Sequence, residues 1–262
     1  MIRNAATCAR ILLAVIAFGF TTPVPADEAV DKAFDALKTY DWGSDRAALQ
    51  PIETAVVGSN ADAAARKALE ARLAAALSGE APQAAKDFVC RQLSLIGTAA
   101  CVPAVAPILL DEKLTHMARF ALERIPDEAA TVALREALPK TKGLAKVGVI
   151  NSLGVRRDAA SGVALTALLE SEDPQIVAAA AAALGSIGNA DAAKTLEAFQ
   201  AKATDANKLA AADAYLCCAE RLLADGKKMD AMKIYKSLSK PNQPKHVQLA
   251  ARRGLLAALG QK

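Results

Sequence analysis

Four times between Leu95 and Gly188 an apolar residue is followed at once by a chain-turning one: Ile96-Gly97, Ile125-Pro126, Leu153-Gly154 and Ile187-Gly188. Successive turn residues are 29, 28 and 34 positions apart. Self-similarity at about 30 residues is the mark of a repeat architecture rather than of a single closed core. Before each turn the apolar residues recur at helical spacing. The second copy is the plainest, with Ala118, Ala121, Leu122 and Ile125 at i, i+3, i+4 and i+7. After each turn a further helix is predicted, over Val102 to Leu110, Glu128 to Leu138, Ala159 to Leu169 and Ala190 to Phe199. Each unit is thus a helix, a tight turn and a helix. A pair of this size cannot cover both of its own apolar faces, so stacking on neighbours must complete the core.

Composition agrees with thin helical layers. Alanine supplies 63 of the 262 residues, whereas Phe, Trp and Tyr together supply ten. Alanine is the best helix former and lets helix axes approach closely. A single thick core of this length would need more large aromatic side chains to fill it. The fold class expected is all-α, a solenoid of stacked helix pairs.

Residues 1–26 read as a secretory signal peptide. Met1–Arg10 is basic and lacks acids, Ile11–Phe20 is a ten-residue apolar run, and Thr21–Ala26 ends in Val-Pro-Ala. The run is short for a bilayer span and typical of a signal peptide's apolar region. Cleavage before Asp27 and an exported, periplasmic or secreted chain are expected, with no stable membrane span afterwards. Beyond residue 26 there are 30 basic and 28 acidic side chains. That near balance gives no electrostatic reason to expect nucleic acid as a partner.

The segment of residues 27–79 follows the repeat less closely and reads as an N-terminal helical cap region. Asp41–Asp45 breaks it, Ser44 or Asp45 offers a cap, and Asn60 to Leu77 reads as one alanine-rich helix. Trp42 is expected to plug a helix corner. Residues 80–204 carry the repeats. Asp173-Pro174 marks a helix start, with Asp as cap and Pro in the first turn.

The segment Asp173-Pro174-Gln175-Ile176-Val177, its alanine run and Leu184-Gly185-Ser186-Ile187-Gly188 resemble HEAT-like repeats of the short kind also found in phycobilisome lyases. The resemblance covers residues 84–200. It implies that the helix before each turn is the second of its pair and lines the concave side. On that side it places Lys86, Arg91, Arg119, Arg124 and Lys146. The family often carries an arginine where Val177 stands here, which removes the residue many members use for an inter-repeat Asp–Arg ladder. In residues 205–262, Ala219, Gly226, Ala231 and Tyr235 have the spacing of small and aromatic positions in a tetratricopeptide repeat, which that segment resembles. A capping helix from His246 to Leu259 follows.

Sites of chemistry are sparse. There is no Gly-rich phosphate loop, no HExxH, no GxSxG and no paired-carboxylate motif. His116 and His246 are far apart and no CxxC occurs, so neither a zinc site nor another cofactor is expected. Cys90 and Cys101 lie on successive predicted helices, and the sequence leaves a bridge between them open. Arg156-Arg157-Asp158 reads as a surface turn of mixed charge. A non-catalytic scaffold that binds a protein partner along the solenoid is the function this reading favours. The alternative is a lyase-like or chromophore-handling protein, which rests on the resemblance alone.

Overall fold

The computed structural model describes residues 25–260; the expected signal peptide lies outside the described residues except for Pro25 and Ala26, which open the first helix. Helices α1 (Pro25–Leu37), α2 (Gln50–Gly58) and α3 (Ala63–Leu77) form the first layers. There follow α4 (Gln83–Ile96), the short α5 (Val102–Val105), α6 (Thr115–Arg124), α7 (Glu128–Ala137), α8 (Gly143–Val155), α9 (Gly162–Leu168), α10 (Pro174–Ile187) and α11 (Ala190–Lys202). The last three are α12 (Lys208–Ala224), α13 (Lys228–Leu238) and α14 (Lys245–Ala258). No strand occurs among the described residues. The protein is an all-α solenoid of stacked helix pairs.

Its backbone is one row of helices, α4–α6–α8–α10–α12, each packed on the next. The other helix of each pair lies outside this row: α7 against α6 and α8, α9 and α11 against α10, α13 against α12 and α14. One continuous apolar cluster threads the layers from Ala33 on α1 to Ala251 on α14. Alanine explains how closely the row is packed. A side-chain carbon placed on Gly154 of α8 would come within 2.8 Å of the Ala183 backbone on α10. One placed on Gly185 of α10 would come within 2.5 Å of the Ala214 carbonyl oxygen on α12. At both crossings nothing larger than glycine fits opposite alanine, which is why small residues dominate these helices.

The helix starts are chemically ordinary. Asp45, Asp62, Asp127, Asp158, Asp173 and Asn189 each accept a backbone N–H from the turn they cap. Asp45 opens a 3₁₀ turn, Arg46–Leu49, that leads into α2. Asp62 starts α3, so the helix expected from Asn60 begins at Ala63 after a 3₁₀ turn. The helix expected over Val102 to Leu110 is broken. Pro103 and Pro107 leave only the one-turn α5 between 3₁₀ turns at Ala99–Cys101 and Ala106–Leu110. Ala159–Ser161 is likewise a 3₁₀ turn ahead of α9. Trp42 plugs no corner: it stands 65% exposed in the loop after α1. Ala219 and Ala231 are fully buried at the α12–α13 crossing, and the Tyr235 ring packs flat on Gly254 of α14.

Among the described residues no helix is long and apolar enough to cross a membrane. The cysteines of the described chain are free: Cys90, Cys101 and Cys218 are buried and Cys217 half-buried. Burial pushes the Cys90, Cys101 and Cys218 thiols up to about 12, which leaves them inert as nucleophiles.

Candidate binding surface

The five basic residues predicted for one side do lie on neighbouring helices of the row: Lys86 and Arg91 on α4, Arg119 and Arg124 on α6, Lys146 on α8. Their surroundings differ. Arg91 grips the buried Asp87 carboxylate one turn back through Nε, at 3.0 and 3.1 Å. Arg124 lies over the half-buried Phe120 ring, 3.7 Å from its centroid, and donates to the Phe120 carbonyl oxygen at 3.0 Å. The Arg91 guanidinium comes within 5.9 Å of the same ring from the neighbouring helix. Phe120 therefore joins two layers with a cation from each, an arrangement whose attraction comes from the ring's negative face.

Arg119 is a structural residue. Its guanidinium lies across Gly148 of α8 and donates to that residue's carbonyl oxygen at 3.2 Å. Burial lowers its pKa, which Glu123, 4.0 Å away, partly offsets. Glu123 also accepts a bond from Ser152 of α8 at 2.6 Å and lies 3.9 Å from Arg124. Lys86 and Lys146 are half-buried, and neither has a carboxylate within ion-pair distance among the described residues. The surface thus offers Arg124, Arg91 and Lys146 to a partner, around an aromatic ring, while Arg119 holds α6 to α8.

The turn Arg156-Arg157-Asp158, read from sequence as a solvated surface turn, is instead a staple. Arg156 donates through Nη1 to the carbonyl oxygens of Leu122 and Ile125, both at 2.8 Å. Through Nη2 it reaches Asp127 O at 2.7 Å, and through Nε the Thr131 hydroxyl at 2.6 Å. One side chain therefore satisfies the Leu122 carbonyl, which Pro126 leaves without a backbone donor, and adds a second donor to the Ile125 and Asp127 carbonyls, which already accept the Asp127 and Ala130 N–H groups. Arg157, held at φ 54°, spans a layer: it pairs with Asp225 beyond α12 at 2.5 Å and reaches Ile187 O at 3.4 Å. Asp158 is buried and paired with Arg135 at 2.8 Å. Arg66 of α3 does the same for α4, donating to Leu95 O at 2.9 Å beside Glu70, which accepts the Thr98 N–H at 2.7 Å. With Val177 buried, arginines at unlike positions do the work of an inter-repeat ladder.

Two open grooves flank this region. One, between α1 and α3, is floored by Phe34, with Arg72 4.1 Å above the ring and tied to Asp31 at 2.7 Å. The other, between α12 and α14, is lined by Leu223, Tyr235, Leu249 and Ala250, with Glu220 and Arg253 at its edge. His246 lies at its mouth, 3.2 Å from Asp213, and His116 is exposed. Among the described residues no cluster of three or more His, Cys, Asp or Glu side chains is placed to hold a metal ion.

Fold and surface together define an all-helical repeat protein. No family model matches the chain, and no curated protein matches it. Among solved structures, an engineered protein aligns at 19% identity over 80% of this chain and 96% of its own, with a TM-score of 0.42. A second engineered protein aligns at 19% identity over 90% of this chain and 74% of its own, with a TM-score of 0.40. Human deoxyhypusine hydroxylase in complex with glycerol aligns at 15% identity over 90% and 96%, with a TM-score of 0.33.

Proposed function

We propose that the protein is a non-catalytic scaffold of the cell envelope or exterior that binds a protein partner along the α4–α6–α8 face. The observation that carries this reading is the Phe120 ring, half-buried between two layers with Arg91 and Arg124 against it and Lys146 one layer on. An aromatic ring flanked by arginines is the composition that interface anchors favour. Cations repeated one layer apart add weak contacts to an acidic or extended partner and steer it to the surface. The HEAT-like register implies that this row is the concave one.

The test reverses charge on two cations that donate to no neighbouring helix. Arg124→Glu with Lys146→Glu should weaken binding of a partner captured from the envelope fraction, and the remaining affinity should depend less on salt. Helix content by circular dichroism should not change. Equal affinity of the variant and parent at low salt removes this face from the interface. A preparation that carries an absorbing small ligand and no protein favours the chromophore-handling alternative.

Export is part of the same proposal. The basic start, the apolar run and Val-Pro-Ala support cleavage before Asp27. Intact-mass measurement of the exported chain should give an N-terminus at Asp27. A mass retaining Met1 or Ile2 contradicts it.

A further inference from the structure

The near-zero total charge conceals a segregation. Between Lys227 and Gly260 the chain carries eight lysines and arginines and a single acid, Asp230, whereas residues 27–226 carry 27 acids against 21 bases. The structure gathers this basic stretch into α13 and α14, and every one of its lysines and arginines is exposed. Helix α14 contains no acid at all. Its Val247, Ala251 and Ala258 are buried against the neighbouring helices. Outside that buried stripe, Leu249 and Leu256 stand 58% and 49% exposed, two helical turns apart, Leu249 at the rim of the α12–α14 groove, with Leu259 following at 57%. Lys245, Arg252 and Arg253 are interleaved with these leucines.

Leucines exposed among cations, on a helix without acids, form a surface that gains from both apolar burial and negative charge. We propose that α14, flanked by the basic α13, seats this protein on an anionic lipid surface, the leucines entering the headgroup boundary while the cations hold the headgroups. This is the composition of helices that lie in the plane of a membrane interface. The details favour lipid over other polyanions. Between residues 227 and 260 the one Phe, Tyr or Trp, Tyr235, is buried, and the exposed His246 ring is engaged with Asp213, so the surface presents no large aromatic platform for a base. Six of the eight cations are lysine, the residue that protein interfaces deplete and that acts as an unspecific point charge. Exposed leucines have no counterpart on a phosphate backbone.

The surface is separate from the α4–α6–α8 face, so the two proposals fail independently. The experiment is co-sedimentation of the full chain with vesicles of phosphatidylcholine alone or mixed with phosphatidylglycerol. Parent and variants share residues 1–26, so the difference between them reports on α14. The parent should partition onto the mixed vesicles in preference to the neutral ones, and the preference should fade at high salt. At about 1 kcal/mol per cation near an anionic surface, Arg252→Gln with Arg253→Gln should lower the partition coefficient by about thirtyfold. Leu249→Ser with Leu256→Ser, which leaves every charge in place, should lower it by about tenfold. No preference for the mixed vesicles, or a preference untouched in either double variant, overturns the proposal. Displacement from the vesicles by poly-glutamate or duplex DNA at equal charge reassigns the surface to an acidic protein or a nucleic acid.

Discussion

Truncating Leu122 to alanine should destabilise the protein by about 2–5 kcal/mol, the cost of a fully buried leucine whose space its surroundings cannot refill. Leu122 is inaccessible, on the face of α6 that lies within the apolar cluster joining the layers. Its neighbours Ala118 and Ala121 are too small to move into the gap. Because each layer touches chiefly its neighbours, the loosening should be local. Amide exchange should accelerate first between about Val102 and Leu153 and leave α12–α14 protected. A uniform loss of protection along the chain contradicts the layered account.

Arg156→Met should cost about 2–4 kcal/mol, although Arg156 is half-buried and lies in a turn. Methionine keeps the stem and removes the guanidinium, so the Leu122 carbonyl and the Thr131 hydroxyl lose their charged donor, and the Ile125 and Asp127 carbonyls are left with a backbone N–H alone. Arg156→Lys should recover only part of the loss, since an ammonium cannot reach four acceptors at once through a planar fork. Thermal unfolding of the three proteins checks the order, with lysine between arginine and methionine. A methionine variant as stable as the parent would show that water replaces the staple without cost.

The contrast between these residues explains what the sequence reveals. Leu122 belongs to a local stripe, and stripes of i, i+3, i+4 and i+7 announce which face is buried without knowledge of the partner. Caps are equally local, so Asp173 and Pro174 are legible in the chain. Arg156 is not, because its acceptors lie 25 to 34 positions earlier and are mostly backbone oxygens without a sequence signature. Arg119 is similar: its seat across Gly148 arises only when α6 and α8 are stacked. The break in the expected Val102–Leu110 helix was visible as Pro103 and Pro107, which outweigh the apolar pattern around them. Trp42 reads as a core residue by type, yet its loop has no layer above it. The basic C-terminal stretch was also in plain view, hidden only by summing charge over the whole chain.

The central claim is that a protein partner binds across the layers of the α4–α6–α8 face. Hydrogen exchange measured along the chain, with and without the partner captured from the envelope fraction, tests it most directly. The account predicts added protection in α4, α6 and α8 together, centred on the segment around Phe120, with α9 and α11 unchanged. Protection confined to the α1–α3 groove or to α13–α14, with the Phe120 segment unaffected, contradicts it.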